Sequence, residues 1–103
     1  MEPHLIYSVS SHMKGLANWS DWVYCGVGDE IKEDVIDMAI NEYFQDSMIY
    51  FVSARKESRE VNKKDILELI KKELGQNELF LWDVNFKKVI EFNKIGVMRN
   101  GLV

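Results

Sequence analysis

Few residues in this chain could do chemistry, and they are scattered. Gly26 and Gly28 lie where a dinucleotide-binding loop would begin, between a predicted strand and a predicted helix. The third glycine of such a loop is missing. Asp29 and Glu30 follow at once, and their carboxylates would repel a phosphate at the helix N-terminus. The segment therefore does not indicate nucleotide binding.

Histidine and cysteine supply the other candidate reactive groups. His4 and His12 have no further His or Cys at metal-binding spacing, so we interpret them as surface or turn residues. Cys25 lies in an apolar stretch without a nearby base, which favours a buried structural thiol over a nucleophile. Acids along one helix, such as Glu33 and Asp37, lack the converging loop ligands that calcium needs. We therefore predict no catalytic residue, no metal site and no cofactor.

Acidic residues are concentrated in residues 29–46, which also carry the strongest helix signal. The segment holds seven acids against one lysine, a net charge of −6 in a chain whose total is −4. At 100° per residue, Ile31, Val35, Ala39 and Tyr43 stack on one face, and further apolar residues widen the arc to more than half the circumference. The pattern predicts a helix capped by Asp29 and packed against a sheet and a second element.

Two interpretations of this acidity stay open. One is a solvated helix face, and the other is a docking face whose negative field attracts a basic partner. The residues predicted to bind a partner are those of the exposed helical strip, the acids beside it and one aromatic anchor: Asp34, Asp37, Asn41, Gln45, Glu30, Glu33 and Trp19. Nucleic acid is a poor ligand for this part of the chain, because its acids would repel phosphates.

Length and composition set the remaining bounds. A chain of 103 residues, 47% hydrophobic and 29% charged, predicts one folded domain over residues 1–103 rather than a disordered or membrane-spanning chain. No apolar run approaches the roughly 20 residues that cross a bilayer, and the N-terminal residues do not resemble a secretory signal. The lone Cys25 fits a reducing compartment, so we expect a cytoplasmic location.

Short apolar runs mark the strands. We predict strands at residues 5–9, 22–27, 48–53 and 79–82, and a charged loop at 54–61. A second helix is predicted from Lys63 to Leu74, with Asn62 as its N-cap and Gly75 just beyond its end. A strand, a helix and a strand in this order predict a right-handed crossover, with residues 48–53 and 79–82 parallel.

The last quarter of the chain allows two interpretations. Phe86, Val89 and Ile90 favour a short helix over residues 84–92, followed by a strand at 95–99; the alternative is a hairpin about Asn93 and Lys94. The predicted fold class is α+β, a mixed sheet of about five strands with two to three helices packed on it.

The chain resembles one class of binding protein. Residues 49–53, 65–67, 81–83 and 95–97, with the acidic helix, make it similar in type to small cytoplasmic immunity proteins of bacterial toxin systems, particularly those that counter contact-dependent growth inhibition toxins. The resemblance implies one-to-one binding of a basic toxin domain, often a nuclease, whose active site is blocked. It carries no defined motif, so it assigns no site residues.

The leading hypothesis is therefore a non-enzymatic binding protein that is a monomer or a weak homodimer. Two hypotheses from other classes stay open: a homodimeric regulatory or structural module, and a small enzyme with an unrecognised site.

Overall fold

Three helices pack on the two faces of a seven-stranded sheet in the computed structural model. The structure describes residues 1–103 except for the side chain of Arg55. The helices are α1 (Pro3–Met13), α2 (Glu33–Tyr43) and α3 (Lys63–Glu73). The strands are β1 (Asn18–Trp19), β2 (Val23–Tyr24), β3 (Met48–Val52), β4 (Arg59–Asn62), β5 (Leu79–Trp82), β6 (Lys88–Asn93) and β7 (Val97–Leu102). Single 3-10 turns lie at Lys14–Leu16, Gly28–Glu30 and Arg55–Glu57.

The sheet has the order β1-β7-β6-β5-β3-β4, and β2 also pairs with the outer edge of β7. All seven strands pair antiparallel. The α+β class is confirmed, while the prediction of a mixed sheet with about five strands is wrong. The strand predicted at residues 48–53 is confirmed as β3, which lies between β4 and β5 with four of its five residues buried.

The predicted parallel pairing of β3 with β5 is wrong because the sequence interpretation missed β4. Residues 54–61 looked like a charged loop, yet Arg59–Asn62 forms an edge strand paired with β3. This hairpin reverses the chain once before α3 begins. The crossover through α3 therefore places β5 beside β3, on the side away from β4. β5 runs antiparallel to β3 and parallel to β4.

The prediction of a strand at residues 5–9 is also wrong, because this segment belongs to α1. Pro3 stands at the start of the helix, where its fixed φ and missing N–H are tolerated. Ile6 and Ser10 are buried one helical turn apart, which is the spacing of a single helix face. The Trp82 Nε1–H donates a hydrogen bond of 2.8 Å to Ser10 Oγ and ties α1 to the sheet.

The C-terminal quarter forms the hairpin rather than the helix predicted over residues 84–92. β6 and β7 pair from Lys88 to Leu102, and three residues connect them. Gly96 adopts a φ of 97°, which glycine tolerates, and its N–H donates to the Asn93 carbonyl at 2.9 Å. The turn is thus one residue longer than a turn about Asn93 and Lys94, and it contains the required glycine.

The two amphipathic helices α2 and α3 lie on the face of the sheet opposite α1, and their N-termini differ. α3 is confirmed with its predicted cap: Asn62 Oδ1 accepts a 3.1 Å hydrogen bond from the Lys64 N–H. α2 is shorter than the predicted 29–46. Asp29 lies in the 3-10 turn before it rather than at its cap, and the capping position is Lys32, whose side chain makes no capping bond.

The sheet separates two hydrophobic clusters. Under α2 and α3, the larger cluster includes Ile36, Ile40, Ile66, Ile70 and the inward residues of the strands. Under α1, the smaller cluster is built on Ile6, Trp82 and Phe86. None of the helices of the described chain is long and apolar enough to span a membrane.

Candidate functional site

The outer face of α2 is the most distinctive exposed surface of the chain. Ile36 and Ile40 are almost completely buried against the sheet. Because successive residues are rotated by about 100°, the opposite face presents Asp34, Asp37 and Asn41, and all three are exposed. The helix therefore places its unburied carboxylates in one band along its length.

Six of the seven predicted partner-binding residues lie on or beside α2. Glu33, Asp34, Asp37 and Asn41 belong to the helix, Glu30 lies in the 3-10 turn before it, and Gln45 follows its end. All six are exposed. Their exposure agrees with the prediction, and their partner-binding role stays a prediction.

Two of the acids already contact neighbours within the chain. Glu33 Oε1 lies 3.3 Å from Lys71 Nζ of α3, and this contact raises the pKa of Lys71. The Tyr24 hydroxyl donates a 3.0 Å hydrogen bond to Glu30 Oε2, which raises the pKa of Tyr24. The Lys71 ammonium offsets the charge of Glu33, whereas the Tyr24 hydroxyl occupies one oxygen of Glu30 and leaves its charge in place.

Asp34 and Asp37 differ from these two acids. Neither makes an ion pair with any side chain that the structure describes. The Asn41 amide donates to the Asp37 backbone carbonyl at 2.9 Å, so the Asp37 carboxylate itself stays uncommitted. The exposed face of α2 therefore carries the unpaired carboxylates of these two residues.

Apolar residues on the same face were missed as part of the site. The sequence pattern placed Val35 and Met38 in the buried arc, but Val35 is 38% exposed and Met38 is 60% exposed. They line a cleft of about 280 Å³ together with Ala39 and Met98. The width of the apolar arc was the sequence signal for this exposure, because the arc held more apolar residues than one contact with the sheet could cover.

The sheet edge extends this apolar region. Val23 of β2 pairs directly with Met98 of β7, and residues paired in this way project their side chains to the same side of a sheet. Val23 is 51% exposed. We call Val23, Asp34, Val35, Asp37, Met38 and Asn41 the α2 outer surface.

Trp19, the predicted aromatic anchor, lies apart from the α2 outer surface. Its ring packs on the α1 side of the sheet and is partly buried. The Arg99 guanidinium lies over two indole rings, 4.3 Å from the centroid of Trp19 and 4.3 Å from that of Trp22. Trp19 thus makes contacts inside the fold, while its proposed role at an interface remains a prediction.

The candidate reactive groups do not converge. Burial raises the pKa of the Cys25 thiol to about 11, so the thiol is protonated at neutral pH and is a weak nucleophile. Burial also raises the pKa of Tyr43, and Asp83 contributes to this shift. Within the described residues, no three His, Cys, Asp or Glu side chains are placed to hold a metal ion.

Comparisons with protein-family models, with curated proteins and with solved structures gave no match for this chain.

Proposed function

We propose that this chain is a non-enzymatic protein-binding domain that docks a basic partner on the α2 outer surface. The observation that carries the proposal is the combination of exposed apolar side chains, Val35 and Met38, with the unpaired carboxylates of Asp34 and Asp37. Carboxylates alone would suit a solvated face. Apolar groups left in water beside them suit an interface, in which a desolvated centre is surrounded by a charged rim.

The charge of this surface defines the class of partner. A protein that presents an apolar side chain flanked by Lys or Arg would fill the cleft beside Met38 and face Asp34 and Asp37. Complementary charges of this kind speed association and fix orientation, while the buried anchor supplies most of the affinity. Among such partners, we propose a basic toxin domain, with this chain as its cytoplasmic immunity protein.

The test uses the protein encoded next to the gene of this chain, co-expressed and purified with it. We expect a one-to-one complex whose association slows as salt increases. Met38→Ala should weaken the complex by about 2 kcal/mol or more, roughly thirtyfold in Kd, if Met38 is the anchor. Asp37→Lys should slow association and reduce its salt dependence, as measured by surface plasmon resonance.

The matched control is Glu60→Lys, which makes the same charge change on an exposed residue of the edge strand β4. This control should bind like the parent chain. Equal losses of affinity in Asp37→Lys and Glu60→Lys would mean that the effect comes from net charge and not from the proposed surface. A complex that tolerates both Met38→Ala and Asp37→Lys would contradict the proposed surface.

Self-association through this surface is a weaker candidate. A second copy would place Asp34 and Asp37 against the same residues of its partner, and like charges repel. The edge strand β2 offers another route, because its Tyr24 is 49% exposed and Trp22, just before the strand, is 42% exposed. Sedimentation equilibrium separates these cases, since only the homodimeric module has twice the mass of the chain in dilute solution.

An enzyme is favoured least. A catalytic cleft brings together several groups with shifted pKa values. The groups whose pKa values are raised are Tyr24, Cys25, Tyr43 and Lys71. None of them lines the cleft beside Met38.

A further inference from the structure

A second cleft lies on the opposite face of the sheet from α2. It is formed by the C-terminal half of α1, the residues after β3, the segment before β5 and the turn between β6 and β7. Its volume is about 340 Å³, near the lower end of the range for small-molecule sites. Unlike the cleft beside Met38, it is lined mainly by polar groups.

Two lysines line this second cleft. The Lys14 ammonium lies 4.9 Å from the centroid of the Phe80 ring, so the aromatic face helps to hold the cation in place. Lys94 approaches from the β6–β7 turn. Neither lysine is ion-paired with a side chain that the structure describes.

Ser53 supplies an independent observation in the same cleft. Its Oγ is shielded and has no hydrogen-bond partner within the described chain. The nearby hydroxyl of Ser10 accepts from Trp82, and that of Ser58 donates to the Ala54 carbonyl. A shielded hydroxyl without a partner is energetically unfavourable, so native structures seldom keep one without a purpose.

Glu78 is the one carboxylate among the described residues that line the cleft, and it is exposed at the rim. Two lysines therefore outweigh it, and the local charge is positive. This contrasts with the acidic surface on the other face of the sheet.

We propose that this cleft binds a small molecule through a phosphate or carboxylate group. The anionic oxygens accept hydrogen bonds from the Lys14 and Lys94 ammonium groups and, after the Ser53 side chain rotates toward the cleft, from its hydroxyl, which gives the orphaned hydroxyl its partner. The proposal does not rest on the proposed protein-binding function, because it uses different residues on the other face of the sheet.

The test is an NMR titration of the ¹⁵N-labelled full chain with inorganic phosphate and, separately, with succinate. Sodium chloride keeps the ionic strength constant in both titrations. We expect saturable shifts confined to the amides near Ser11, Ser53 and Ala54 with at least one of the two anions. Saturation by phosphate alone assigns a phosphate ligand, and saturation by succinate alone assigns a carboxylate ligand.

Variants connect the shifts to the named groups. Lys14→Gln should weaken binding roughly tenfold, because it removes a charge-assisted hydrogen bond. Ser53→Ala should weaken binding severalfold. Lys87→Gln, an exposed lysine in the connection between β5 and β6, is the matched control and should bind like the parent chain.

Two results would overturn the proposal. One is the absence of saturable shifts in the cleft with either anion. The other is an equal loss of binding in Lys14→Gln and Lys87→Gln, which would reduce the effect to diffuse attraction by surface charge. A thermal unfolding curve for each variant confirms that it is folded, so that lost binding reports on the site.

Discussion

At the scale of single residues, Gly101 shows how the absence of a side chain allows neighbouring side chains to pack directly on the backbone of β7. The Trp19 ring and the Val89 side chain both approach the Gly101 backbone so closely that a Cβ would lie 2.8 Å from the ring and 2.7 Å from Val89 Cγ1. The Tyr43 hydroxyl of α2 donates to the Gly101 carbonyl. This position therefore connects groups on both sides of the sheet.

We predict that Gly101→Ala lowers the free energy of unfolding by about 1–3 kcal/mol, because the new methyl group overpacks a site with no free volume. Gly15→Ala is the control, since no atom lies within 4 Å of the point that its new Cβ would occupy. The control should be neutral or slightly stabilising. Urea denaturation measures both variants, and equal effects would contradict the packing argument.

Cys25 allows a prediction about pH. Burial raises the pKa of the folded thiol to about 11 from an ordinary value of 9.0, so the unfolded chain loses this proton first as pH rises. The contribution of the protonated Cys25 thiol to the free energy of unfolding is therefore complete below about pH 8. This contribution is lost as pH rises from about 9 to 11.

The total loss through this thiol should be about 2–3 kcal/mol, from about 1.4 kcal/mol per pKa unit. The measurement compares urea denaturation of the parent chain and of Cys25→Ala between pH 8 and 11. The parent should lose more stability than the variant over this range. Parallel pH profiles for the two proteins would show that the thiol does not titrate in this way.

At the scale of elements, α2 and α3 have equal lengths but different starts. Asn62 caps α3, whereas α2 follows a 3-10 turn and has no side-chain cap. We infer that α2 depends more on Ile36, Ile40 and its tertiary contacts, because short helices are marginal without packing.

We predict that Asn62→Ala destabilises the chain by about 1 kcal/mol through loss of the cap on the Lys64 N–H. Asn41→Ala is the matched control, since it removes an exposed asparagine from a helix interior, where alanine is the better helix former. The control should be neutral or stabilising. Thermal unfolding followed by circular dichroism would contradict the cap if both variants lost equal stability.

At the scale of the whole molecule, the Arg99 side chain of β7 connects the neighbouring strand β6 to the tryptophans at the β1 edge of the sheet. Its Nε donates to Glu91 Oε1 at 2.8 Å on the neighbouring strand, and its guanidinium lies over the rings of Trp19 and Trp22. Glu91 is only 7% exposed. Removing one partner would leave its carboxylate poorly solvated and without an ion pair.

We predict that Arg99→Met is markedly destabilising and that the loss is coupled to Glu91. A double-mutant cycle with Glu91→Gln should give a coupling free energy within the range of about 0.5–3 kcal/mol that residues in contact show. Urea denaturation of the four proteins provides the measurement. Additive losses would mean that Arg99 contributes only through its stacking on the two indole rings.

The two faces of the sheet differ in charge. One carries the acidic α2 outer surface with its apolar cleft, and the other carries the polar cleft of Lys14, Ser53 and Lys94. Because the sheet separates them, a partner protein and a small anion could occupy the molecule together, and each proposal can fail without the other.

The sequence by itself determined the elements whose signals are local. The buried strand β3, the strand β5, the capped helix α3 and the exposure of Asp34 and Asp37 follow from apolar runs, an N-cap and helical periodicity. These signals depend on neighbours within a few residues, so they can be read without knowing the fold.

Only the tertiary structure decided the rest, because the deciding contacts are distant in the chain. The edge strand β4 exists through pairing with β3, α1 is tied to the sheet where Ser10 accepts from Trp82, and the C-terminal hairpin forms where β6 pairs with β5. The exposure of Val35 and Met38 depended on which part of a wide apolar arc the sheet covers, and helical periodicity alone does not specify that.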